Sequence, residues 1–166
     1  SFSELEDGLD YFIVDMAAGL SDSVMTFLSA CQHRFIVLKN EPSSIADAYA
    51  TIKVMIQNYE LDNIYVLPNS VPSQREGQNL YKRINSVIKS FLGSEVGYLY
   101  SITEDEMLLR AIRSSQPILS FSPASAAARD FSSMADAVEA LPENNSITGG
   151  LQFFVERMAD SQAAVD

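Results

Sequence analysis

Asp15 ends a short apolar run, and the chemistry open to such an aspartate is the binding of a metal ion. Residues 11–14 are all strand formers, and small residues leading to Gly19 follow the aspartate. A carboxylate at the end of a buried strand is costly unless it is satisfied, and Mg²⁺ beside a nucleotide phosphate is a common partner. Gly19 would let a backbone N–H approach the terminal phosphate. The pattern is typical of a Walker B motif, but a cap of the next helix or turn explains an isolated case more often.

A phosphate-cradling loop of the form GxxxxGK[ST] would be the decisive companion of this aspartate. None of the seven glycines is followed by a lysine. The lysines all lie outside glycine-rich turns, at Lys39, Lys53, Lys82 and Lys89. The sequence therefore predicts that this chain does not hydrolyse a nucleotide by itself.

Two further positions carry side chains that suit a ligand. Asn69 follows the apolar run 64–67, and its amide can both donate to and accept from a base edge, although an asparagine that caps a loop is about as common. Glu41 lies in the segment 41–44, which is either a ligand-facing loop or a proline-stiffened connection with a serine cap. We include both residues in the predicted cofactor-binding set.

These positions fall at the ends of predicted strands that alternate with predicted helices. Continuous apolar runs at residues 11–14, 35–38 and 64–67 predict strands covered on both faces, and residues 96–100 and 118–121 are two further strand candidates. Apolar residues at helical spacing predict a helix after each of these five segments. The alternation predicts a three-layer α/β domain with a mostly parallel sheet flanked by helices. In such sheets, ligands bind beyond the carboxyl ends of the strands.

Helix boundaries are predicted from capping residues. Ser44 and Thr103 each precede an acidic residue by three positions, which resembles a capping box and predicts a helix start. Another predicted helix follows Gly77 and stops at Gly93, which suits a left-handed cap. A last predicted helix opens at Ser122 or Pro123.

The composition indicates a single domain followed by a tail. We expect residues 1–141 to form a partial α/β domain, residues 142–150 a linker, and residues 151–166 an amphipathic helix or tail. The apolar face of residues 151–160 suits packing on its own domain, on a partner or on a membrane. Because acidic residues outnumber the single Arg157 there, a protein surface suits this segment better than anionic lipid.

The charge balance also limits the classes of partner. The chain has 22 acidic residues against 11 lysines and arginines, a net charge of −11, which repels nucleic acid phosphates. The single cysteine, Cys31, excludes an intrachain disulfide, and Cys31 and His33 have no partners at metal-ligand spacing. With no signal segment or long apolar span in the sequence, we expect a cytoplasmic protein that does not bind nucleic acid.

An ordered series of motifs resembles the FlhG/FleN branch of the MinD/ParA ATPases, which regulate flagellar number and placement. The similarity runs through nearly the whole chain, in the segments DYFIVDMAAGLSDSV, NEPSSIADAYATIK, VLPNSVPSQREGQNLY, ITEDEMLLRAIRSSQPIL and GGLQFFVERM. The series is more specific than any single motif in it.

The resemblance implies an ATP- and Mg²⁺-binding, dimerising domain in the bacterial cytoplasm, at the cell pole or peripheral to the inner membrane. Asp15 would be the magnesium aspartate of Walker B, Gly19 the switch II glycine, and Asn69 a residue of the adenine pocket. Family members also act with the GTPase of flagellar placement and restrain the activator of flagellar transcription. Their C-terminal amphipathic helix binds the membrane, which here implies peripheral contact through residues 151–160.

The sequence departs from the family in lacking the phosphate loop, its lysine and the switch I aspartate. In this fold the phosphate-loop strand is central, so its absence predicts exposed strand edges and a homodimer, or dependence on an upstream half. An alternative is a nucleotide-independent positioning or scaffold protein, like the degenerate ParA-type (TadZ-like) proteins of pilus systems. A receiver domain with Asp15 as phospho-acceptor fits poorly, since the preceding acidic residues do not form the required pair at a strand end.

Overall fold

A computed structural model describes residues 10–17 and 19–142 of the chain. Ten elements follow one another in this part of the chain: α1 (Asp22–Ala30), β1 (Arg34–Leu38), α2 (Pro42–Tyr59), β2 (Ile64–Val71), α3 (Gln74–Leu92), β3 (Gly97–Tyr98), β4 (Ile102–Thr103), α4 (Glu106–Arg113), α5 (Ile118–Phe121) and α6 (Ala126–Glu139). The predicted linker lies almost wholly, and the predicted tail wholly, outside the described residues.

The strands form an open parallel sheet in which β2 is central. β1 pairs with β2 in parallel, with Phe35 opposite Tyr65 and Leu38 opposite Pro68. On its other side β2 pairs in parallel first with β3 and then, further along, with β4. Helices connect β1 to β2 and β2 to β3 and lie against the sheet, so the predicted α/β class with a parallel sheet flanked by helices is confirmed.

The alternation of side chains along β2 separates two apolar cores. Ile64 and Val66 point to the face that is covered by α1, α2 and α3. Tyr65 and Leu67 point to the opposite face, where α6 packs against them and against Ile102. Helices on both sides of the sheet give the three layers that the sequence predicts.

Two predicted strands are wrong. Residues 118–121 form the short helix α5: Pro117 is its N-cap residue, the Pro117 carbonyl accepts from the N–H groups of Ser120 and Phe121, and the turn buries Ile118. Residues 11–14 form no strand, and Ile13 is 87% exposed. A strand needs a hydrogen-bonded neighbour, and none of the strands in the described residues pairs with this segment.

The starts of α2, α3 and α6 also differ from the prediction. α2 begins at Pro42, whose fixed φ suits the first helical turn, and the Ser44 hydroxyl instead accepts from the backbone N–H of Lys39. α3 begins before Gly77, with Ser73 as its cap, and α6 is capped by Ser125. The predicted stop of α3 at Gly93 is confirmed, since Gly93 adopts a left-handed φ of 65°.

Candidate functional site

The carboxyl ends of β1 and β2 form one edge of the sheet, and two of the predicted site residues lie there. Because Leu38 pairs with Pro68, the turn after β1 lies beside the last three residues of β2. Glu41 follows β1 as the N-cap residue of α2, is exposed, and makes no capping bond with its side chain. Asn69, next to Pro68, lies within β2 and is half-buried. The structure thus brings Glu41 and Asn69 to the same edge.

The loop that carries Glu41 is held by polar contacts at its base. The Lys39 backbone N–H donates to Ser44 Oγ over 3.0 Å, which closes the turn between β1 and α2. Asn40 Oδ1 accepts from Arg83 Nη2 over 2.7 Å, which ties the loop to α3. The carboxylate of Glu41 therefore projects from an ordered turn toward solvent.

Asn69 lies at an irregular point of the sheet. It pairs with Ile102 of β4, while the next pairing joins Val71 to Thr103, so the register shifts between them. Ser70 takes up the shift with a φ of 53°, a left-handed conformation that non-glycine residues rarely adopt. Such local strain persists only where the surrounding structure enforces it, and it clusters at ligand sites.

A polar cluster that the sequence did not reveal lies beside Asn69. It consists of Gln74, Tyr98, Ser101, Thr103 and Asp130, which we call the Asp130 cluster. Its members come from α3, β3, β4, α6 and the turn before β4, and hydrogen bonds connect them. Asp130 is only 8% exposed although it is an acidic residue. Its place on the buried face of α6, among apolar residues, was the signal in the sequence.

The N-cap residue of α4 is Asp105, and the sequence prediction had assigned this cap to Thr103. The sequence suggested Thr103 as the helix cap, but Thr103 lies in β4, and Asp105 caps α4 by accepting from the Met107 backbone N–H over 2.8 Å. Its other oxygen accepts from the Ala127 N–H at the start of α6 over 2.9 Å. The hydrogen bond from Ala127 is the largest of the effects that lower the pKa of Asp105, and it outweighs a smaller opposing effect of burial. One carboxylate thus fixes two helices at this edge.

Asp15 and Gly19 are not joined to this edge by strand pairing. Asp15 is exposed in a segment without secondary structure. Gly19 has a φ of 150° with open space around its Cα, a conformation that favours glycine. Glu41 and Asn69 therefore lie at one edge of the described sheet, whereas Asp15 and Gly19 are not joined to that edge by strand pairing.

Cys31 and His33 are not part of a candidate site among the described residues. Burial raises the pKa of the Cys31 thiol and lowers that of His33, which favours the neutral form of each group. Within residues 10–17 and 19–142, no cluster of three or more His, Cys, Asp or Glu side chains could hold a metal ion. The helices of the same residues include none with the length and apolar character needed to cross a membrane.

Arg34 is a further buried charge, and its role is structural. It is 6% exposed, and its guanidinium donates to the carbonyl oxygens of Leu28, Cys31 and Asp62, each over 2.7 Å. The first two carbonyls belong to the end of α1, where helix carbonyls lack partners within the helix. Arg34 therefore joins the end of α1 to β1 and to the segment before β2.

The chain is similar to known proteins along most of its length. No family model matches it. The chain is 36% identical over 163 residues, 98% of its length, to the antiactivator FleN of Pseudomonas aeruginosa strain PAO1. It is 32% identical over 145 residues, 87% of its length, to the flagellum site-determining protein YlxH of Helicobacter pylori strain 26695.

The similarity covers 58% of the first of these proteins and 47% of the second, so the chain spans about half the length of the curated relatives it matches. It extends along nearly the whole chain and agrees with the parallel α/β sheet described above. The resemblance to the FlhG/FleN family is confirmed by these two relatives, over the part of their length that the chain spans.

Proposed function

We propose that the chain is the C-terminal part of a MinD-like regulator of flagellar number or placement, which acts through dimerisation and protein interaction. The observation that carries this proposal is the 36% identity to an antiactivator named FleN across 98% of the chain. The second relative, named for flagellum site determination, supports the same process.

The whole protein would bind ATP with Mg²⁺ at the carboxyl edge of the sheet. Asn69 lies at that edge, where its amide would contact the base, and Glu41 lies on the neighbouring loop. Asp15 would hold Mg²⁺ through water once an adjacent strand orders its segment, with Gly19 beside the phosphate. Hydrolysis would require a phosphate loop outside this chain.

The sheet offers a surface for association beside β1. Phe35 and Val37 lie on the same face as Tyr65 and Leu67 and are 39% and 57% exposed. We call these two side chains the open patch. An apolar patch beside a strand edge is a template for pairing. A second copy of the chain, or the remaining part of a longer protein, would cover it.

The partners of this protein would be those of a flagellar regulator. They would include the GTPase of flagellar placement and the activator of flagellar transcription, with contact in the cytoplasm, at the pole or beside the inner membrane through residues 151–160. Nucleic acid is not expected among them, because the net charge of −11 repels phosphates.

Counting flagella tests the regulatory function. In the bacterium that carries the gene, deletion should change the number or position of flagella per cell in electron micrographs, and the wild-type gene on a plasmid should restore it. Complementation with Val37→Asp should fail, while Leu109→Asp, at a similarly exposed site on α4, should succeed. Unchanged flagella in the deletion strain would contradict the proposal.

Nucleotide titration separates this function from the nucleotide-independent scaffold. Isothermal titration of Mg²⁺ and ATP into the longest product of the gene should show binding, and Asn69→Ala should weaken it. Flagellar regulation without any ATP binding by that product would favour the TadZ-like scaffold.

A further inference from the structure

Asp130 is a buried carboxylate, and its hydrogen-bond donors among the described residues are uncharged. Gln74 Nε2 donates to Oδ1 over 2.9 Å, and the Thr103 backbone N–H donates to Oδ2 over 2.9 Å. The Thr103 hydroxyl donates to the same oxygen. A buried charge is costly unless such bonds satisfy it, and a satisfied network of this kind rigidifies its surroundings.

These bonds hold a strand that is too short to hold itself. β4 has two residues, and its ladder with β2 is interrupted at Ser70. Beyond that interruption the Glu104 N–H donates a hydrogen bond to the Val71 carbonyl over 2.9 Å. The position of Thr103 between these points is fixed by the carboxylate on α6. The orientation of β4 therefore depends on Asp130.

The residue that β4 holds in place is Asn69. Asn69 pairs with Ile102, the residue next to Thr103, so a shift of Thr103 moves the strand that flanks Asn69. An adenine edge offers one amine donor and one ring acceptor, which match the two ends of an amide, whereas the corresponding edge of guanine offers two acceptors. Discrimination between the two bases therefore requires that the amide be held to within about 0.5 Å.

We propose that Asp130 is a positioning residue for base recognition at Asn69, acting through Thr103 and β4. This role rests on the proposed binding of ATP at the same edge. It assigns to α6 a function in selecting an adenine nucleotide, besides its packing on the sheet.

The test compares variants of the longest product of the gene. Asp130→Asn keeps the volume but turns its NH₂ group toward either Gln74 Nε2 or the Thr103 N–H, so that two buried donors face each other. Thr103→Val removes one hydroxyl donor and keeps the backbone bond, which makes it the milder change. Asp136→Asn, at an exposed position of the same helix, is the matched control.

Titrations with Mg²⁺ and ATP, with Mg²⁺ and GTP, and with tripolyphosphate report on base and phosphate binding separately. Asp130→Asn should lower ATP affinity about tenfold, in line with the loss of one bidentate base contact, and lower the ratio of ATP to GTP affinity. Tripolyphosphate affinity should stay unchanged, because it has no base. Thr103→Val should produce a smaller change in the same direction, and Asp136→Asn should produce none.

An equal loss for all three ligands, or an unchanged ratio of ATP to GTP affinity, would overturn the proposal and leave Asp130 a structural residue. If Asp130→Asn does not fold, Thr103→Val alone decides between these outcomes. A wild-type protein that binds tripolyphosphate and ATP equally would overturn base recognition while leaving nucleotide binding intact. A wild-type protein that binds none of the ligands would overturn the proposed ATP binding itself.

Discussion

Val37 and Leu67 lie opposite each other on adjacent parallel strands and on the same face of the sheet, yet their surroundings differ completely. Leu67 is 8% exposed beneath α6, whereas Val37 is 57% exposed. The side of the sheet around β2, β3 and β4 is closed by helices and polar contacts, while the side at β1 ends in the open patch. Local sequence is similar in the two strands, so the difference comes from which elements are present to cover them.

Truncating each of these two side chains gives the largest expected contrast. Leu67→Ala should lower the free energy of unfolding by about 3 kcal/mol, because it leaves a cavity beneath α6. Val37→Ala should change it by less than about 0.5 kcal/mol, as is usual for an exposed position. Urea unfolding monitored by circular dichroism measures both, under conditions where the chain is monomeric. Equal losses would mean that the open patch is covered within the chain.

A substitution at Gly77 tests how closely the side of the sheet around β2, β3 and β4 is packed. A Cβ atom at this position would lie 2.0 Å from Ser101 Oγ and 2.6 Å from Ser101 Cβ. Gly77→Ala should therefore cost about 2 kcal/mol, in spite of the better helix propensity of alanine, because α3 must move away from the turn before β4. Thermal and urea unfolding of the variant measure this cost.

The control for that prediction removes the obstacle. Adding Ser101→Gly to Gly77→Ala should recover part of the lost stability, since it deletes the side chain that the new methyl group meets. A double variant no more stable than Gly77→Ala alone would show that the cost has another origin.

A smaller loss of stability is expected for a substitution at Asp105, whose carboxylate stabilises the side of the sheet around β2, β3 and β4. Asp105→Asn should cost about 1 kcal/mol at neutral pH, because an amide cannot accept from both the Met107 and the Ala127 N–H groups. The folded-state pKa of Asp105 is lowered, so the stabilisation is present above the ordinary value of 3.8 and is lost as the pH falls below it. The stability difference between wild type and variant should therefore shrink in acid.

Unfolding curves at a series of pH values, with Asp136→Asn as the control, measure this difference. A gap between wild type and Asp105→Asn that stays constant from neutral pH to well below pH 3.8 would contradict the assignment of the stabilisation to the carboxylate.

The local patterns of the sequence predicted the elements that carry their own signals. The apolar runs of β1 and β2 and the stop of α3 at Gly93 were recognised because each depends on neighbouring residues only. The strands β3 and β4 have two residues each and exist because β2 offers them partners, so their sequences specify them weakly. Residues 11–14 show the converse, because their strand-forming sequence joins none of the strands of the described sheet and forms no strand.

The candidate site was predictable to the same extent. Asn69 and Glu41 follow strand-forming runs, and the rule of carboxyl ends places both at one edge. Asp130 bonds to Thr103 across 27 positions and to Gln74 across 56, and no local pattern encodes such pairs. A charged residue on the apolar face of a predicted helix was the available sign, and it identifies a buried polar contact without naming its partner.

The open patch can be tested most directly by measuring the mass of this chain in solution. Light scattering at micromolar concentration should show self-association of the wild-type chain, and Val37→Asp should reduce it while Leu109→Asp on α4 should not. This result would confirm that the side of the sheet at β1 is an interface. A monomeric wild-type chain that also melts cooperatively would contradict it.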